Sequence, residues 1–225
     1  MLKPYAKPRV ALCGASAILA GAMLCPSLAS AEIELSFYGG TQSAMASNVT
    51  GTRADTTPFS NKIHWEGKSF AMPPYYGVRA TWWQQSNIGW GIEMTHDKVY
   101  SPVADRPAGF THLEFTDGHN IVTANVLKRW PGLWGNLTPY AGAGIGLAVP
   151  HVETTENGNV TRGYQVTGPA VRLTAGIKYS LNAHWGVFTE YQATWSDNKA
   201  ELTGGGSLRT KITTNAINFG VSYSF

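Results

Sequence analysis

The side chains of this sequence that could bind a metal or move a proton come in pairs. His64-Trp65-Glu66, His112-Leu113-Glu114 and His151-Val152-Glu153 share one spacing, and Asp117-Gly118-His119 gives a fourth pairing. In extended chain, residues two apart project to the same side, so each triplet offers an imidazole and a carboxylate together. Such nitrogen and carboxylate donors suit iron, zinc, copper or manganese. His112, Glu114, His119, His151 and Glu153 are therefore the candidate metal ligands, with His64 in reserve. The same spacing is short and commonplace, and it equally suits a solvated polar rim whose groups bond loop backbone. The choice between these readings turns on where the chain places the pairs.

The chain has 225 residues, with 17 Lys and Arg against 14 Asp and Glu. Three of the basic residues, Lys3, Lys7 and Arg9, precede an apolar run from Val10 to Leu24, and Ala29-Ser30-Ala31 follows with small side chains. This is the pattern of a secretory signal, so residues 1–31 are expected to be removed and residues 32–225 to form one exported domain. The apolar run is short for a membrane helix. Cys13 and Cys25 leave with the signal, and with them any disulfide, thiol nucleophile or thiolate metal site. Without those first three cations the 17 basic residues fall to 14 and equal the 14 acidic ones. That balance lacks the basic surplus of a nucleic-acid-binding protein. Charged residues make up 14% of the chain, where soluble proteins carry about a quarter. The hydrophobic share of 43% excludes a disordered chain.

After residue 31 the recurring signal has a period of two. Ile88, Trp90, Ile92 and Met94 interleave with Gly89, Gly91, Glu93 and Thr95. Val171, Leu173, Ala175, Ile177 and Tyr179 oppose Arg172, Thr174, Gly176 and Lys178, and the chain closes with Ile217, Phe219, Val221, Tyr223 and Phe225 against small polar residues. Eight such segments begin near Ile33, Pro74, Ile88, Ile121, Leu137, Pro169, Trp185 and Lys211. The connections between them alternate: long at 47–73, 101–120, 154–168 and 197–210, short at 85–87, 131–136 and 182–184. A soluble sandwich has no reason to sort its loops in this way. An eight-stranded antiparallel up-and-down transmembrane β-barrel, with long outer loops and short periplasmic turns, requires it. Trp82, Trp83, Tyr100, Trp130, Trp134, Trp185 and Trp195, near strand ends, suit the two interfacial girdles of such a barrel. Glu34, Arg79, Glu93, Arg129, Arg172, Lys178 and Glu190 then point inward, where an eight-stranded barrel has room only for side chains, and should pair there. Gly142-Ala143-Gly144-Ile145-Gly146 falls within a strand and opens no helix, so it is not a dinucleotide loop. Its small residues are expected to leave inward space for Arg79 or Tyr75. His184, in a short turn, reads as bystander surface.

The closing stretch Phe219-Gly220-Val221-Ser222-Tyr223-Ser224-Phe225 resembles the end of bacterial outer-membrane barrels, a signal read in that group by the barrel assembly machinery. A narrower resemblance rests on Pro73-Pro74-Tyr75-Tyr76-Gly77-Val78-Arg79, Leu113-Glu114-Phe115-Thr116-Asp117-Gly118, Val149-Pro150-His151-Val152-Glu153 and Gly204-Gly205-Gly206-Ser207-Leu208. Together these look like the lipid A oxidase-like outer-membrane proteins. The resemblance implies an enzyme of the cell outer membrane that oxidises the proximal glucosamine of lipid A to an aminogluconate unit with molecular oxygen. It brings no catalytic motif that can be matched residue by residue.

With no nucleotide-binding fold in an eight-stranded barrel, such an oxidase would handle oxygen through a divalent transition metal, iron or copper before others, and no nucleotide cofactor. Glu66 and Asp117 are then the candidate catalytic bases. Lys68, Lys199 and Arg209, with Lys62 and Lys211, would steer the phosphates or acidic sugars of lipopolysaccharide. Outer-membrane loops also contact that anionic surface without doing chemistry. The alternative is accordingly a non-enzymatic small barrel for envelope integrity, adhesion or host interaction. The partners expected are lipid A, the outer-membrane bilayer and the assembly machinery, with no nucleic acid, and the barrel is expected to be a monomer.

Overall fold

A computed structural model describes residues 32–225, apart from the side chains of Thr116 and Asp117. The expected signal, residues 1–31, lies outside the described residues. Twelve strands follow: β1 Glu32–Ala44, β2 Ser47–Thr52, β3 Pro58–Ile63, β4 Tyr76–Trp83, β5 Ile88–Tyr100, β6 Phe110–Arg129, β7 Leu137–Ala148, β8 His151–Glu156, β9 Asn159–Tyr164, β10 Gly168–Ser180, β11 Trp185–Leu202 and β12 Gly206–Ser224. Eight of them, β1, β4, β5, β6, β7, β10, β11 and β12, pair antiparallel with their neighbours in that order. β12 returns to β1 from Glu34↔Ser224 to Ala44↔Thr214, so the sheet closes on itself and has no open edge at this level. The eight-stranded up-and-down barrel read from the alternation is the observed one.

The outer connections differ from the expectation. They are not irregular loops but continuations of the barrel wall. β6 begins at Phe110 rather than near Ile121, β11 runs to Leu202, and β12 begins at Gly206. The β2–β3 hairpin adds to the top of β12 through Ser207↔Thr52 to Thr210↔Val49. The β8–β9 hairpin adds to the top of β6 through Glu114↔Glu153. Its turn, Asn157-Gly158, has φ of 46° and 87°, the left-handed pair that closes two-residue hairpins. These outer extensions enclose a second apolar core that includes Val49, Ile63, Val99, Leu113, Phe115, Val152, Leu208 and Ile212. They form a cap built of β-structure.

Below the cap the interior is polar, as expected. Arg79 donates to Glu190 at 2.9 Å and lies 3.6 Å from Glu93, and Arg172 stands 3.4 Å from Glu93 on its other side. Tyr38, Asn125 and Gln192 also donate to Glu93, while Tyr140 and Asn218 donate to Glu190. Both carboxylates are buried with their hydrogen-bonding capacity used, the condition under which buried ion pairs persist. The glycines of β7 do not make room for Arg79 or Tyr75. A Cβ at Gly144 would strike the side chain of Asn125, and one at Gly142 would strike Leu127. Gly144 thus admits the amide that reaches Glu93 from β6.

The outward face carries the apolar belt, with Leu35, Phe37, Trp90, Ile92, Ile145, Leu173, Ile217 and Phe219 exposed. Of the expected girdle residues, Trp82, Trp130, Trp134, Trp185 and Trp195 are on the outside. Trp83 is not. It is buried in the interior, with the Arg129 guanidinium 4.5 Å from its ring, because Trp82 already takes the outward position on that strand. Tyr100 is half-buried at the cap, its ring 4.8 Å from the Lys68 ammonium. His184 is more than bystander surface: Nδ1 lies 2.8 Å from the Ser224 carbonyl and the ring stacks on Tyr223, tying the last short turn to the closing strand.

Candidate functional site

Three of the five expected metal ligands come together. On β6, Leu113 and Phe115 point into the cap core, so His112 and Glu114 project from its outer face. On β8, Val152 points inward and Glu153 outward, and the register sets Glu153 directly opposite Glu114. The result is one group in which donor atoms of His112, Glu114 and Glu153 all lie within 4.8 Å of one another. His112 Nε2 is 2.6 Å from Glu114 Oε1, yet this buried nitrogen meets no hydrogen-bond geometry. His151 stands alongside, Nδ1 4.0 Å from Glu153 Oε2, its ring edge-on to Tyr164 at 4.9 Å. Arg162 on β9 approaches Glu153 at 3.8 Å.

His119 does not join them. It is buried on the inner face of β6, its Nε2 2.9 Å from Ser196 Oγ on β11 and its ring packed against Phe115. The physical reason is parity: five residues separate Glu114 from His119, and an odd separation on a strand changes sides. The same count was available in the sequence, where grouping by proximity hid it. Of the proposed bases, Asp117 has its side chain outside the described residues. Glu66 pairs with Tyr100 as an isolated bridge, and since Tyr100 is also opposite Glu114, the row Glu66, Tyr100, Glu114, Glu153, Arg162 crosses this face of the cap. The Glu66 carboxylate holds Lys68 at 3.0 Å. His64 is elsewhere, facing Asp105 at 3.0 Å. The His64 backbone N–H, and then its ring, hold the Asp105 carboxyl below the usual Asp range.

Lys199 and Arg209 belong to another face. They are direct partners on β11 and β12, three or four staves around the barrel from β5 and β6. Lys211 is one outward position nearer the apolar belt on β12, and Lys62 lies on β3 of the adjoining hairpin. Arg209 is bidentate to Asp197, at 2.7 and 3.1 Å, and Lys199 is 3.3 Å from Glu201. Lys68 is thus separated from the other two expected substrate contacts. The cap has a histidine–carboxylate face on one side and a basic face on the other.

At the opposite end of the barrel, a cavity of about 230 Å³ that the sequence reading did not anticipate is lined by Glu32, Glu34, Arg129, Lys178 and His184, among others. Arg129 is bidentate to Glu32, and Lys178 donates to Glu34, so its charges are matched in pairs.

Comparison with known proteins agrees with this architecture. The family described as "Outer membrane protein beta-barrel domain" matches residues 17–225. Among solved structures, Neisserial surface protein A is similar over 87% of this chain and 100% of its own, at 12% identity and a TM-score of 0.50. OprG from Pseudomonas aeruginosa matches over 87% and 96% of the two chains, at 13% identity and a TM-score of 0.46. The attachment invasion locus protein of Yersinia pestis, Ail, matches over 87% and 99%, at 10% identity and a TM-score of 0.41. At such identities the likeness concerns the fold alone. No curated protein matches the sequence.

Proposed function

Since this chain belongs to the outer membrane protein beta-barrel domain family and sits in the outer membrane, we propose that it works as a non-enzymatic surface module, the barrel an anchor and the cap the working part. One observation carries the reading: the outer connections are folded, with thirteen buried apolar residues between them. A surface held by its own core keeps one shape, which serves recognition and envelope integrity better than mobile loops do. The ion pairs that fill the lower interior suit an anchor rather than a channel.

The partner on the basic face is the anionic lipopolysaccharide surface. Arg209, Lys211 and Lys199 follow the belt residue Trp195 outward along β11 and β12, at the level where lipid A phosphates and core sugars meet the protein. On insertion, the closing strand with Phe225 is what the barrel assembly machinery would receive. A second reading, oxidation of lipid A, draws on the His112–Glu114–Glu153 group at the outer rim.

Mass spectrometry of lipid A from cells with and without the gene separates the two. The surface-module reading expects identical lipid A, with binding of purified lipopolysaccharide to the refolded barrel weakened by Lys199→Glu, Arg209→Glu and Lys211→Glu together. An aminogluconate unit found only in the presence of the gene would replace this reading with the oxidase. Unchanged lipopolysaccharide binding in the triple variant would remove the basic face from it.

A further inference from the structure

We infer that the cap carries a divalent transition-metal site whose protein ligands are His112, Glu114 and Glu153. This does not depend on lipopolysaccharide binding, and it concerns the other face of the cap.

The arrangement concentrates negative charge that a cation would offset. Glu114 and Glu153 are directly opposite each other on paired strands, a position in which like charges destabilise a sheet. Glu114 is 9% exposed, so water screens the repulsion poorly. Arg162 lies 3.8 Å from Glu153 and is itself largely in solvent. The His112 ring is turned so that Nε2 comes to 2.6 Å from Glu114 Oε1 without hydrogen-bond alignment. These two donor atoms, close but not bonded to each other, can turn toward a shared ion, which would part them to about 3 Å or more.

One imidazole nitrogen and two carboxylates select the class of ion. Calcium and magnesium favour all-oxygen shells, and copper(I) favours sulfur, whereas zinc, manganese and iron(II) accept this mixture. Three protein ligands leave coordination positions open toward solvent. His151 flanks the group, its Nδ1 4.0 Å from Glu153 Oε2, beyond hydrogen-bond reach.

The site also has a structural consequence. The β6–β8 pairing is irregular between Phe110 and His112, where the register shifts. An ion joining β6 to β8 next to that irregularity would staple the β8–β9 hairpin to the wall.

The test uses the full mature barrel refolded in detergent, with zinc as the probe and calcium as the control, followed by calorimetry and by limited proteolysis of the hairpin. One zinc per chain is expected, with no comparable calcium uptake, together with slower cleavage at Asn157-Gly158. His112→Gln and Glu153→Gln should each weaken zinc binding by at least about tenfold. Arg162→Ala should tighten it, because Glu153 loses a competing cation. His64→Ala, away from the cluster, should change nothing. Each variant is first checked for the heat-modifiable gel shift of a folded barrel. Should either ligand variant fail to fold, the other and Arg162→Ala still move the affinity in opposite directions. Zinc uptake that is absent, unchanged in the folded ligand variants, or equally reduced by His64→Ala would overturn the site.

Discussion

On β11, Glu190, Gln192, Thr194, Ser196 and Asn198 point inward in succession, and the next two inward residues are Ala200 and Leu202. On the outer side of the same strand, Tyr191, Ala193 and Trp195 give way to Asp197, Lys199 and Glu201. β12 makes the same exchange, from Ile217 outside and Asn218 inside to Arg209 outside and Leu208 inside. The backbone and its period are unchanged while the polarity of the two faces inverts. The lower part lies in lipid, where apolar groups belong outside and charges must be matched within. The upper part lies in water, where the hydrophobic effect reverses the assignment. One strand obeys two solvents.

The largest effect should come from breaking the charged interior. Arg79→Ala leaves Glu190 without its bidentate partner, and the barrel should lose about 3–5 kcal/mol in urea unfolding from lipid vesicles. Arg79→Met combined with Glu190→Gln should recover most of that loss. If the single and double variants are equally stable, the lower interior is not an ion-pair core. Next in size is a charge on the outer face. Leu173→Arg, near the middle of lipid-facing β10, should cost about 2–4 kcal/mol in the same assay. Thr52→Arg, exposed on the outer face of the cap opposite Ser207 and Pro58, should cost nothing measurable. Equal penalties at the two positions would place the water boundary elsewhere. Smallest is the cap core. Leu208→Ala should cost about 2–3 kcal/mol, near the low end for a buried leucine because hairpins can settle around the gap. The loss should appear as faster proteolysis within residues 53–57 and 101–109, with the barrel still heat-modifiable. Cooperative unfolding of the whole chain at lower urea would mean that the two regions are one unit.

How far this was legible depended on the rule applied. Apolar-out alternation found all eight staves and seven inward charges but not Asp97, buried inside with Thr214 as a donor. It stopped at Ile121 and Lys211, where polarity inverts and a strand such as Leu113, Glu114, Phe115 resembles a loop to that rule. The Asn157-Gly158 dipeptide between Thr155 and Val160 was a hairpin signal in plain view. In the candidate site, the His-x-Glu pairs of β6 and β8 did converge, while parity had already assigned His119 to the other face.

The sequence by itself determined the period of two, the alternation of connection lengths, and therefore the closed antiparallel barrel and which residues face which way within each stave. Those are local properties, set by the direction of successive Cβ atoms and by the length of chain between strands. Only the tertiary structure decided which charge meets which. Glu93 takes Arg79 from β4 and Arg172 from across the barrel, and Glu190 takes Tyr140 from β7, because register and closure bring distant strands to the same depth. The same holds for Glu114 and Glu153, thirty-nine residues apart in the chain. They are neighbours because the chain leaves β7 and continues in the same direction as β8 along the top of β6, and the paired backbone holds their carboxylates face to face.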